Sequence, residues 1–283
     1  IIVILKNIFI TGASSYLGKN FLNKVSEHRI YALTNRNMPD HYENLIPVRL
    51  STDEFNAFYN EKEIDTIVHL AANSLISQKD EDIEKIFDVN ILLGNQILLS
   101  TKNSPVEKFI TAGSYSQDID ESPNNLYKIS KQIFEDLLRN FSLKNNIIPV
   151  SLHFGDIYGP NDTRDKLIPY LLKNENKNEV QFNSNGLGYF SPIHVCDAVD
   201  AIINELKNKK SHVFEKKLIC SQLITVKKFV SEYKSIRNKK FVPVYTKINK
   251  IKSYQKKDFK LDISPKVSLL KGLESLEKAE HPI

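Results

Sequence analysis

Tyr127 and Lys131 stand four residues apart, a spacing that puts both side chains on one face of a helix. Ser114 closes a strand-like run a short distance upstream. A phenol titrates at about pH 10 in water. It exchanges protons near neutrality only where positive charge favours its phenolate, and Lys131 is such a charge. Ser114 could then hydrogen-bond a carbonyl or hydroxyl oxygen and turn it toward Tyr127. The plain alternatives are two exposed helix residues and a hydroxyl that caps local backbone. The three residues therefore need independent support.

That support comes from Thr11-Gly12-Ala13-Ser14-Ser15-Tyr16-Leu17-Gly18, which follows an apolar strand and precedes a helix-period stretch. In such a turn Gly12 permits the tight bend and Gly18 the close helix–strand packing. Backbone amides and the helix start then face a pyrophosphate. Ser15 stands where a GxxGxxG pattern has its middle glycine, with Tyr16 and Leu17 in the same turn. A dinucleotide is the expected ligand, and its oxidised nicotinamide would be a second positive charge beside Tyr127. The second strand ends in Leu33-Thr34-Asn35-Arg36, with no acid until Asp40. A carboxylate there binds both ribose hydroxyls, whereas a cation accepts a 2′-phosphate. Arg36 therefore favours NADP(H), with NAD(H) as the alternative.

The elements that must position these residues alternate between short apolar runs and helical periods. Strands are expected at 7–11, 29–34, 46–50, 66–70, 108–111 and 147–153, and helices at 17–27, 54–59, 81–102 and 126–144. This order predicts an α/β fold, a Rossmann-type doubly wound parallel sheet. Residues 1–155 are expected to form the NAD(P)-binding domain. Residues 156–283 are expected to form mainly a small substrate-binding lobe, with helices at 165–173 and 195–207 and segments returning to the first domain.

With 283 residues, 41% hydrophobic and 26% charged, the chain is large enough for such a core and too apolar to be disordered. The net charge of +5 comes from lysines in stretches such as 208–210 and 238–240, which lack interleaved aromatics, so nucleic-acid binding is not expected. Two cysteines, Cys196 and Cys220, make no disulfide framework and suggest a reducing, cytoplasmic setting. Residues 1–5 lack the basic start and cleavage site of a signal peptide. No run approaches the roughly 20 apolar residues of a membrane span. The histidines are scattered without ligand spacing, and no metal site is expected.

Taken in order, several pieces resemble the extended short-chain dehydrogenase/reductases, the NAD-dependent epimerase/dehydratase family. They are Thr11-Gly12 to Gly18, His69-Leu70-Ala71-Ala72, Asn90, Ser114, Tyr127 to Lys131, Ile157-Tyr158-Gly159-Pro160 and Pro192-Ile193-His194-Val195-Cys196-Asp197. The resemblance implies that Gly12, Ser15, Tyr16, Leu17 and Gly18 hold the pyrophosphate, that Leu70, Ala71, Ala72 and Asn90 line the cofactor cleft, and that Lys131 also binds the nicotinamide ribose. It implies Tyr127 as acid/base, assisted by Ser114. It also implies a homodimer through a four-helix bundle made by the helices at 81–102 and 126–144.

The substrate side departs from the family. Asp156 stands where an Asn often contacts the substrate's diphosphate, and Phe190 near where an Arg is usual. Arg164 and Lys257 are the expected compensating cations, and His194 and Asp197 are expected to pack or cap. Tyr115-Ser116 replaces the Asp-Glu pair of the 4,6-dehydratases, which disfavours dehydration. The expected activity is NAD(P)H-dependent reduction of a nucleotide-activated 4-keto-6-deoxy sugar for surface polysaccharides. The alternatives are an epimerase that retains NAD and a non-catalytic NAD(P)-binding regulator.

Overall fold

The computed structural model describes residues 5–35, 37–38, 42–74, 80–119, 126–208, 213–246 and 263–276. Arg36 and Lys257 lie outside the described residues. β1 (Asn7–Thr11), β2 (Arg29–Leu33), β3 (Leu45–Val48), β4 (Thr66–His69), β5 (Lys108–Ser114) and β6 (Ile148–Phe154) are joined through α1 (Tyr16–Leu22), α2 (Phe55–Glu61), α3 (Asp80–Phe87), α4 (Leu93–Ser100), the short α5 (Ser116–Ile119) and α6 (Leu126–Ser142). The chain continues with β7 (Asp156–Tyr158), α7 (Leu167–Asn174), β8 (Glu179–Phe182), β9 (Tyr189–Phe190), β10 (Pro192–His194), α8 (Val195–Lys207) and β11 (Glu215–Ile219). It closes with β12 (Ile224–Thr225), α9 (Val226–Ile236), β13 (Val242–Tyr245) and α10 (Leu269–Glu274).

Seven strands form one sheet in the order β11-β6-β5-β4-β1-β2-β3, and every pairing in it is parallel. The expected doubly wound sheet is the one observed. Its central strands β1 and β4 are buried, Ile8 to Ile10 fully so, because helices cover both faces, while the edge strands β3 and β11 carry exposed residues. Leu17, Phe21, Ala198 and Ile202 belong to one core, and Phe55, Tyr59, Ile97 and Phe134 to a second. The strand order reverses between β1 and β4. In an open α/β sheet such a switch point opens a crevice at the carboxyl edge, where ligands bind.

A third core, around Leu171, Phe190, Phe229 and Tyr233, supports the smaller β7–β13 elements beyond that edge. β11 returns to the sheet beside β6, and α8 packs against the β1–α1 side.

Two helices differ from expectation. The one expected over 17–27 stops at Leu22. Two tight turns, Lys24 N to Phe21 O and Val25 N to Leu22 O, then carry Val25 into the core. The one expected over 81–102 is α3 and α4 joined by a wide turn at Asp88–Leu92, in which the Leu93 amide reaches back to the Asp88 carbonyl. The extra residue in that turn accompanies an inward-facing Asn90, which is buried.

Candidate active site

At the carboxyl edge lies a cavity of about 1010 Å³. Ser15, Tyr16, Leu17, Leu70 and Ala72 line it on the β1–β4 side, and Ser114, Tyr127 and Lys131 on the β5–α6 side. Asp156, Arg164 and Phe190 line it from the lobe. The turn after β1 is built to admit a phosphate group closely. Gly12 has φ +74°, a left-handed conformation that favours glycine, and a Cβ there would come within 2.6 Å of the Ala71 amide. A Cβ on Gly18 would strike the Gly12 carbonyl at 2.2 Å, so α1 packs directly on the turn. Ser15, in the middle-glycine position, caps α1: its hydroxyl accepts from the Gly18 amide at 3.0 Å. A glycine turn, a capped helix start and a cavity opening between β1 and β4 fit a dinucleotide.

Lys131 is buried, and its Nζ donates to the Ala112 carbonyl at 2.9 Å while lying 6.0 Å from the centre of the Tyr127 ring. Burial pulls its ammonium down to about 8. Burial pushes the Tyr127 phenol up to about 12; the Arg164 guanidinium works against that rise and the Asp156 carboxylate adds to it. At that value Tyr127 is a protonated phenol and a potential proton donor. The Ser114 hydroxyl meets the Ser116 hydroxyl at 2.9 Å, and its backbone amide donates to Gln117 Oε1 at 2.8 Å. Beside Lys131, His69 is buried at 2.8 Å from the Thr11 hydroxyl, and burial holds its ring neutral, down to about 3.

Asn90 is not among the residues lining the cavity. Its amide accepts from the Asn73 backbone N–H at 2.7 Å, and donates to the Asn73 carbonyl at 3.0 Å and the Ser130 hydroxyl at 2.9 Å. It thereby ties the segment after β4 to α6. Asp156 accepts from the Tyr115 hydroxyl at 2.7 Å and the Ser191 amide at 3.0 Å. Arg164 is held by both oxygens of Asp162, at 2.7 and 2.8 Å, and by the Ile157 carbonyl at 2.8 Å, with its guanidinium 4.5 Å above the Tyr16 ring. Phe190 packs 4.5 Å from Phe229 in the lobe core. His194 caps α8 and Asp197 accepts the amides of Lys266 and Val267, both in agreement with the packing and capping roles expected for them.

The support beneath Ser114 is not legible in the sequence pattern. His153, fully buried on β6, lies 2.6 Å from Asp118 and 2.5 Å from Glu135 through its two ring nitrogens. Burial opposes its charge, but the two carboxylates outweigh that and raise its pKa. Gln117 donates to Glu135 at 3.2 Å, so the Ser114 amide, Gln117, Glu135 and His153 form one chain of hydrogen bonds. The available signal was Glu135 itself, four residues beyond Lys131 on the same helical face. Lys166, a further cavity-lining cation, was also missed although it lies in the Arg164 loop.

The family model of the NAD dependent epimerase/dehydratases matches residues 8–215. The chain is 26% identical over 213 residues to CDP-abequose synthase of Salmonella typhimurium, covering 72% of this chain and 71% of that one. Among solved structures it is similar to MoeE5 in complex with UDP-glucuronic acid and NAD, with TM-score 0.80 and 19% identity over 96% of this chain and 98% of that one. It is also similar to UDP-glucuronic acid 4-epimerase from Bacillus cereus in complex with NAD, with TM-score 0.76 and 21% identity over 96% of each chain. At those identities the two structures share the fold.

Proposed function

The chain belongs to the NAD dependent epimerase/dehydratase family, and from that premise we propose that it reduces a nucleotide-activated 4-keto-6-deoxy sugar. The observation that carries this reading is the convergence of Ser114, Tyr127 and Lys131 on one cavity with the glycine turn. Its likeness to a curated nucleotide-sugar enzyme supports the substrate class. Tyr115-Ser116 after Ser114, in place of an acidic pair, favours reduction over dehydration.

Gly12, Ser15, Tyr16, Leu17 and Gly18 would hold the pyrophosphate, Leu70 to Ala72 the cleft wall, and Lys131 the ribose. The nicotinamide, when bound, supplies the hydride for the keto carbon. Tyr127 gives its proton to the keto oxygen, and Ser114 holds that oxygen in line. The phenolate left on Tyr127 would be stabilised by the Arg164 charge and by the Lys131 ammonium 6.0 Å from the ring centre. NADP(H) is the proposed cofactor, on the strength of the sequence Leu33-Thr34-Asn35-Arg36 and the absence of an acid before Asp40. The product would supply surface polysaccharide synthesis in the cytoplasm.

Purified protein mixed with NADPH and CDP- or UDP-4-keto-6-deoxyglucose should oxidise the cofactor, faster than with NADH. Tyr127→Phe should lower kcat by about a hundredfold or more. Full turnover by that variant would sink the mechanism. Cofactor that co-purifies and is never consumed would point to the epimerase, and cofactor binding without turnover on any sugar to the regulator.

A homodimer through α3, α4 and α6 belongs to the same proposal. On α6, Ile129, Ile133 and Leu137 are 37%, 36% and 38% exposed and repeat every fourth residue, on the side away from Tyr127, Lys131 and Glu135. Phe87, Leu92 and Leu99 add exposed apolar surface on the neighbouring helices. Light scattering at micromolar protein should return twice the 32.5 kDa chain mass.

A further inference from the structure

Asp156 presents an unusual wall to this cavity. One of its oxygens, Oδ2, takes both hydrogen bonds, from the Tyr115 hydroxyl at 2.7 Å and from the Ser191 amide at 3.0 Å. Its backbone is fixed as well, the Asp156 amide donating to the Ser191 carbonyl at 2.7 Å. Among the described residues no donor is bonded to Oδ1, and no cation forms an ion pair with the carboxylate. Arg164, the nearest candidate by sequence, is committed instead to Asp162 and to the Tyr16 ring. The charged or titratable groups that face Asp156 across the cavity are Tyr127, Arg164 and Lys166.

A carboxylate so held is an acceptor aimed by its neighbours. Burial pushes its carboxyl up while the Ser191 amide, the Tyr115 hydroxyl, Lys166 and Arg164 favour the ionised form. A hydroxyl group, which donates to a carboxylate and accepts from a carboxyl, is its natural partner in either form, whereas a phosphate oxygen is repelled by the ionised one. Arg164 has the complementary character. Its Nε and one terminal nitrogen are used by Asp162 and Ile157, and its other terminal nitrogen, Nη1, has no bonded partner among the described residues. A guanidinium clamped on one edge and stacked on a ring is a pre-oriented anion donor.

Building on the nucleotide-sugar reading, we propose that Asp156 is a specificity-determining residue that accepts a hydrogen bond from a hydroxyl of the substrate's sugar ring through Oδ1, while Arg164 takes the diphosphate. The two side chains divide the cavity into a sugar end and a phosphate end. This assigns Asp156 to the sugar and away from the phosphates that an Asn at this position would contact. Tyr115 is a positioning residue in this arrangement, since its hydroxyl holds Oδ2.

The test needs binding alone. Calorimetry compares a nucleoside diphosphate with its glucose conjugate, using CDP and CDP-glucose or UDP and UDP-glucose, whichever pair the wild type binds. The wild type should bind the conjugate at least tenfold more tightly than the diphosphate. Asp156→Asn, which keeps the shape and can still accept from Tyr115 and Ser191, should lose about tenfold of that sugar increment and leave diphosphate affinity within about threefold. Arg164→Gln should lose about tenfold or more on both ligands, with the increment kept. Tyr115→Phe should weaken the increment less than Asp156→Asn does. An increment that survives Asp156→Asn, or a diphosphate that binds tenfold more tightly to that variant, would overturn the proposal, because the carboxylate would then face the phosphate or nothing. Failure of the wild type to reduce any 4-keto sugar would instead count against the reductase reading, and these binding ratios would still stand or fall on their own.

Discussion

Beneath the end of β5, a buried imidazole is shared by two carboxylates, Asp118 and Glu135, with Lys216 2.6 Å from Asp118. In the lobe, a buried carboxylate, Glu175, gathers Arg237 at 2.8 and 2.9 Å, Lys239 at 3.0 Å and the Tyr233 hydroxyl. Both clusters obey the same rule, that a buried charge persists only when it is paired and hydrogen-bonded. They differ in the group at the centre. The lobe cluster rests on a guanidinium that stays charged at any ordinary pH, and it ties α7, α9 and, through the Leu273 carbonyl, α10. The cluster under β5 rests on a histidine, a titratable ring in which burial is outweighed by the two carboxylates and the pKa rises above the ordinary value, and it reaches the Ser114 amide through Gln117. One is a fixed clasp. The other links the strand that carries Ser114 to a titratable ring.

The largest expected effect tests the clasp. Arg237→Met should cost about 3 kcal/mol in chemical denaturation, because it takes two charge-assisted hydrogen bonds from a buried carboxylate and leaves it, among the described residues, only Lys239 and Tyr233. A loss below about 1 kcal/mol would put this cluster in the class of surface pairs and erase the contrast. Next comes the contact between strand and ring. A Cβ at Gly113 would sit 2.3 Å from His153 Cδ2, so Gly113→Ala should cost about 1–3 kcal/mol by overpacking. It should also lower kcat, since it displaces Ser114's own strand. Unchanged stability and rate would show that the ring does not support the strand.

The smallest effect is the sharpest discriminator. His153 has a raised pKa, so its contribution to stability is complete below the ordinary histidine value of about 6.5 and fades as pH rises through the folded value. For Glu175, burial pushes the carboxyl up but Arg237, Tyr233 and Lys239 pull it down to about 2. Its contribution is complete above the ordinary carboxylate range and fades only as pH falls toward about 2. Denaturation curves between neutral and mildly alkaline pH should therefore decline more steeply for the wild type than for His153→Gln, by no more than about 1.4 kcal/mol per pH unit, the limit for one proton. Parallel curves for the two proteins would mean that His153 is not the ionised centre.

Both clusters were hidden from the sequence for the same reason. His153 and its partners Glu135 and Asp118 are 18 and 35 residues apart, and Glu175 and Arg237 are 62 apart. No local period connects such residues. Read by pattern, His153 is merely the end of an apolar strand. The glycine turn, by contrast, was legible because its chemistry is local: Gly12 and Gly18 act through backbone shape and Ser15 through a helix cap, all within a single turn. Tyr127 and Lys131 were legible because the helix itself sets their spacing. Helix ends were less so. Val25 fits the helical period of α1 yet leaves the helix at Asn23, because burying it required a turn.

The sequence by itself determined the alternating elements, the glycine turn and the tyrosine–lysine face, since each depends on neighbours within a few bonds or one helical turn. Only the tertiary structure decided which acid faces what. It turned Asp156 onto Tyr115, gave Arg164 to Asp162 and set His153 between two carboxylates. Those choices depend on distance and dielectric in three dimensions, where a charge distant in the chain becomes the nearest neighbour in space.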